Sequence, residues 1–108
     1  MFGKKSGRAG EIDVSTYSFL DGAAEFARMW AEPEGPMTCI IETRALGPDP
    51  FVFGMALVDA AHHGAKAYAH AVGIPEEQAL ARIWQGLDAE RANPTDEAHE
   101  IDPDGRLQ

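Results

Sequence analysis

Between Asp49 and Gly73 lies the segment that most limits what this chain can fold into. Asp49 is a natural helix N-cap, because its carboxylate can accept from the unpaired backbone N–H groups of a first turn. Pro50 suits the first helical position, where its missing N–H would have had no partner. Gly73 is the residue best able to take the left-handed turn that ends a helix. The segment in between therefore reads as one long helix running to Val72. Gly54, Leu57, Val58, Ala61, Ala65, Tyr68 and Val72 form a broad apolar face, and Asp59, His63, Lys66 and His70 form a polar stripe opposite. The small residues Gly54, Ala61, Gly64 and Ala65 predict close approach to another helix or to a sheet.

The flanking segments supply the rest of an α+β fold. Pro75 opens a further helix, with Glu76 and Glu77 complementing the positive end of its dipole. Leu80, Ile83, Trp84 and Leu87 follow at helical spacing, and Pro94 disfavours helix at Asn93. Upstream, Phe19, Ala23, Phe26 and Trp30 also recur at helical spacing, which predicts a helix from Phe19 or Leu20 to Ala31, ended by Pro33 and Gly35-Pro36. Met37 to Leu46 alternates as a strand, and Ile12 to Tyr17 is its expected partner, parallel to it across the intervening helix. The expected architecture is three helices packed on a small two- or three-stranded sheet, in the order β-α-β-α-α. Trp30 and Trp84 are expected in the core, and Cys39 as a buried small hydrophobe.

At 108 residues, 44% hydrophobic and 25% charged, the chain has the size and composition of a single globular domain. The expected limits are a basic tail over 1–10, one α+β domain over 11–93, and an acidic, extended or partly disordered segment over 94–108. Lys4, Lys5 and Arg8 are three of the nine basic residues, so the body of the domain carries six basic against eighteen acidic groups. So negative a surface repels phosphate backbones and argues against nucleic-acid binding. No run approaches the length of a membrane helix, and the tail lacks the apolar stretch of a secretory signal. With a single cysteine there is no internal disulfide, which fits a reducing compartment and a cytoplasmic setting. No cofactor is expected, since Gly3, Gly7 and Gly10 lack the strand and helix that frame a phosphate loop.

The densest set of reactive side chains is Asp59, His62, His63, Lys66 and His70. Asp59 with His63, or with His62, has the spacing of two metal ligands. His70 lies two turns beyond His62, about 12 Å along the axis at ~1.5 Å per residue, too far to share the ion. A metal site is therefore not expected, and a solvated stripe is. His62 lies toward the edge of the apolar face, with Phe51, Met55 and Ala69 near it in spacing. It reads as a half-buried histidine, with general acid–base duty as the alternative.

Two stretches carry a resemblance. Asp49-Pro50, Phe53-Gly54, Leu57, Asp59, His63, Ala65 and Ala67-Tyr68-Ala69 form one. The other is Leu80-Ala81-Arg82-Ile83, Gly86 to Glu90 and Pro94-Thr95-Asp96. Together they resemble a small bacterial family known only as a numbered domain of unknown function. That likeness covers about half of the chain and departs from it in the N-terminal tail. It implies an α+β fold in a bacterial cytoplasm and lends no activity.

Two functions follow as expectations. One is a non-catalytic interaction or regulatory module, acting as a homodimer through its sheet edge or with an unidentified protein partner. Glu42 and Arg44 guard only the far half of the strand, leaving Met37 to Ile41 uncharged and open to pairing. The other is a small-molecule-binding protein or minor enzyme using His62, His63 and Asp59. A deep pocket lined by those histidines would favour the second; a flat apolar patch favours the first.

Overall fold

The computed structural model describes residues 8–95. Most of the basic tail and nearly all of the acidic segment, with Ile101 and Leu107, lie outside the described residues. Within them the fold is α+β. A two-stranded antiparallel sheet, β1 (Ala27–Ala31) and β2 (Met37–Ile41), is followed by two helices, α1 (Pro50–Val72) and α2 (Glu76–Ala92). Short 3-10 turns occupy Ser18–Leu20 and Thr43–Ala45. The order is therefore β-β-α-α, not the expected β-α-β-α-α.

The expected helix from Phe19 or Leu20 to Ala31 is a 3-10 turn followed by a strand. Its helical spacing is real, but Gly22 weakens a helix there, and β2 needs a partner for its backbone groups. The nearest chain supplies one. Glu32 to Pro36 reverses direction, with the Gly35 N–H donating to the Glu32 carbonyl at 3.1 Å and Glu34 at φ 59°. Proline followed by a residue of positive φ is the pattern of a type II turn. The proline and glycine read as a helix stop are thus the turn of a hairpin. Closing so short a loop costs less entropy than bringing in Ile12 to Tyr17. The resulting register sets Ala27 against Ile41, Met29 against Cys39 and Ala31 against Met37.

The expected parallel strand Ile12 to Tyr17 is a run of turns. The Asp13 carboxylate accepts from the Ser15 N–H at 2.9 Å, and the Tyr17 N–H donates to the Val14 carbonyl. Local bonds of this kind compete directly with a sheet ladder. The strand expected to reach Leu46 stops at Ile41 for a similar reason. The Glu42 carboxylate accepts from the Arg44 backbone N–H at 3.0 Å and so starts a 3-10 turn.

The long helix has the limits its caps predict. Asp49 accepts from the Phe51 N–H at 3.0 Å, and Gly73 takes φ 81° while its N–H donates to the Ala69 carbonyl. Pro75 is the N-cap of α2 and not its first residue, so that helix begins at Glu76. The two helices pack on each other, and the two strands pair with each other. The hairpin is not laid along either helix; the Phe26 ring, edge-on to Phe53 at 6.4 Å, links it to α1.

Burial is concentrated at the helix crossing and is slight. Among the described residues the buried apolar side chains are Ala61, Ala65 and Ala79, with Ala65 fully covered. Trp30 and Trp84, expected in the core, are half-buried. Cys39, expected to be buried, is exposed.

Candidate functional site

The three residues singled out from the sequence share one helix but do not form one site. Asp59, His62 and His63 are all exposed on α1. His62, expected to be half-buried, turns its ring edge-on to Trp84 of α2 at 6.0 Å, a contact that leaves its outer side open. His63 is one residue on, so it projects about 100° further round a helix of 3.6 residues per turn. Lys66 reaches across to α2, where its Nζ lies 2.8 Å from the Glu76 carboxylate. Among the described residues no three His, Cys, Asp or Glu side chains come together as a metal-holding group.

A concavity exists elsewhere. Where β2 turns into α1, a hollow of about 370 Å³ is lined by Ile41, Leu46, Pro48, Pro50 and Phe53, with Thr43 and Asp49 as its polar members. It contains none of the three candidates, and the carboxylate of Asp49 is engaged as the α1 cap. Sequence reasoning missed this hollow. Its signal was the Gly47-Pro48-Asp49-Pro50 run, which holds the end of the strand away from the start of the helix.

The carboxylates with perturbed acidity lie on the surface, and none of them lines the hollow. Hydrogen bonds from the Arg44 side chain and backbone push Glu42 down to about 2. Arg28 lowers Glu25 by the same kind of bond, and Thr95 lowers Glu90 through its backbone and hydroxyl donors. Each pair is local and solvent-facing, so these shifts report turns and caps and not a reaction centre.

What the molecule displays most is uncovered apolar surface. On α1, Phe51, Met55, Val58, Tyr68 and Val72 are exposed. On the hairpin, Ala27, Met29 and Ala31 share a face with Met37, Cys39 and Ile41, of which Met29, Met37 and Ile41 are large and exposed. A helix that is apolar around most of its circumference is ordinarily a buried one. Large contiguous apolar patches are a general feature of interaction surfaces.

The model of a family described as "Domain of unknown function (DUF5076)" matches residues 20–95. Among curated proteins, none matches the chain. Among solved structures, one described as a "putative pyruvate dehydrogenase" from the photosynthetic bacterium Rhodopseudomonas palustrus CGA009 is 31% identical. It aligns with a TM-score of 0.58 over 91% of this chain and 94% of that one.

Proposed function

The chain belongs to the DUF5076 family of domains of unknown function, and on that premise we propose that it is a non-catalytic interaction module working as a homodimer. The observation that carries this reading is the imbalance of burial. Three alanines are covered, while sixteen large apolar side chains of the described residues stand exposed. Small side chains alone stabilise a fold weakly, since burial contributes about 25 cal/mol per Å² of apolar surface. Association supplies the missing burial, and a symmetric pair is the commonest way for a soluble chain to find it. The free edges of the two-stranded sheet add backbone groups that a second chain can satisfy. A reducing bacterial cytoplasm, consistent with a lone exposed thiol, belongs to the same reading.

One observation favours a second reading. The hollow between β2 and α1 has the volume of a small-ligand site, so a small-molecule-binding protein is the alternative. His62, His63 and Asp59 would not serve it, because none lines the hollow. The dehydrogenase description of the Rhodopseudomonas relative finds no support in these residues: the polar members of the hollow are a threonine and a carboxylate committed to a helix cap.

Light scattering at tens of micromolar tests the homodimer. The expected mass is twice 11.7 kDa. A single-chain mass at that concentration overturns it.

A further inference from the structure

The alternation of bonds within the hairpin decides which backbone groups of β2 are free. The Glu42 N–H donates to the Phe26 carbonyl at 2.8 Å, which makes Phe26 and Glu42 a hydrogen-bonded pair. Bonded and unbonded pairs alternate along an antiparallel ladder, so Arg28 with Ile40 and Trp30 with Thr38 are bonded too. Ala27 with Ile41, Met29 with Cys39 and Ala31 with Met37 are the unbonded pairs. The N–H and C=O groups of Met37, Cys39 and Ile41 therefore point away from β1. No hydrogen bond among the described residues uses them, and neither helix brings a Cα within 8 Å of β2. Resting on the homodimer reading, we propose that this edge is occupied by β2 of a second copy. The two strands run antiparallel about a twofold axis at Cys39, and the hairpins join as one four-stranded sheet.

The edge is complementary to itself. Pairing about Cys39 sets it opposite the partner's Cys39, Met37 opposite the partner's Ile41 and Ile41 opposite the partner's Met37. Both members of each pair face the other strand, so each pair exchanges both its N–H···O bonds. Sliding one strand by a single residue sets outward groups against inward ones. Sliding it by two leaves an end residue with no partner in the strand. Side chains agree with the same register. Facing residues of an antiparallel pair project on one face, so Met37, Cys39 and Ile41 continue into the same apolar band of the second copy. On the other face Ile40, 54% exposed, meets the partner's Thr38.

Charge selects β2 over β1. From Met37 to Ile41 there is no charged residue, whereas β1 carries Arg28, which holds Glu25 and lies 3.3 Å from Glu11. Charged side chains are the usual guard against pairing at a strand edge. A ribbon of two strands is also marginal alone, and further strands with a shared apolar face make a sheet stable.

Amide hydrogen exchange reads the edge with no substitution. The Cys39 amide is expected to be protected like that of Ile40, and to lose that protection on dilution. The Met29 amide, outward on β1, is expected to exchange fast at every concentration. Oxidation with diamide is expected to link two chains through Cys39, since facing Cα atoms of a bonded pair lie about 5.5 Å apart, within disulfide range. In a Cys39→Ser background, Met29→Cys is expected to stay a single chain, although it is exposed on the same face. Cys39→Pro removes an N–H that the hairpin does not use, so the mass is expected to fall to one chain with the circular dichroism kept. A doubled mass with Cys39 exchanging as fast as Met29, and with no Cys39 cross-link, overturns this edge and leaves the homodimer standing. A single-chain mass for the parent protein overturns both; a protected Cys39 amide at that mass assigns the edge to the chain's own residues 96–108. If Cys39→Pro does not fold, the exchange and cross-link comparisons of Cys39 with Met29 decide without it.

Discussion

Glu42 and Arg44 form a two-pronged charged contact that a backbone bond reinforces. The guanidinium Nε lies 2.8 Å from one carboxylate oxygen and Nη2 lies 2.9 Å from the other, while the Arg44 backbone N–H donates at 3.0 Å. That set of bonds holds the Glu42 carboxyl at about 2, well below its ordinary 4.5. Because the folded value is depressed, any stability it lends is complete above the ordinary value and lost as the pH falls through about 2. Both side chains face solvent, so screening keeps the effect local. Arg44→Ala is expected to return Glu42 most of the way toward 4.5 in a carboxylate-resolved NMR titration, with the backbone donor keeping a remnant of the shift. An unchanged midpoint would mean that the arginine does not hold this carboxylate in solution. The reactive residues read from the sequence fare differently. Asp59 and His63 were legible as part of a polar stripe because helical spacing alone places them, whereas His62, expected half-buried at the edge of the apolar face, is exposed. That His62 leans on Trp84 was not legible, since it depends on how α2 crosses α1.

Elements were legible where their ends carry local chemistry. α1 has its limits as expected because the Asp49 cap and the Gly73 left-handed turn act within a few residues of themselves. Removing the cap by Asp49→Ala is therefore expected to cost about 1 kcal/mol in chemical denaturation, with Asp49→Ser recovering most of it. A loss below a few tenths would show that the Phe51 N–H finds water equally well. The hairpin was only half legible. β2 advertises itself by β-branched density, whereas Ala-Arg-Met-Trp-Ala carries no strand signal and sits in a run with helical spacing. Its conformation is imposed by a neighbour across a five-residue reversal, a tertiary decision that overrides weak local propensity. The hollow between β2 and α1 left only the Gly47-Pro48-Asp49-Pro50 run as a signal, because its shape is made by how two elements meet.

At the scale of the whole molecule, the distribution of apolar surface is the dominant fact. A chain with ordinary hydrophobic content covers three alanines among its described residues and displays Phe51, Met55, Met29 and Met37. Sequence spacing correctly makes α1 apolar on a broad face, but it cannot say whether the covering partner is the same chain or another. The expectation of helices laid on the sheet assumed the former. The hairpin instead stands to one side, tied to α1 through Phe26 and Phe53. In a homodimer the fold is completed between copies, so folding and association are one equilibrium. The thermal unfolding midpoint as a function of protein concentration tests that most directly. Over a roughly hundredfold range of concentration the midpoint is expected to rise steadily, as mass action requires when the folded state is a dimer. A midpoint that stays constant over that range would contradict the homodimer, because it would mean that a single chain is stable with its apolar faces uncovered.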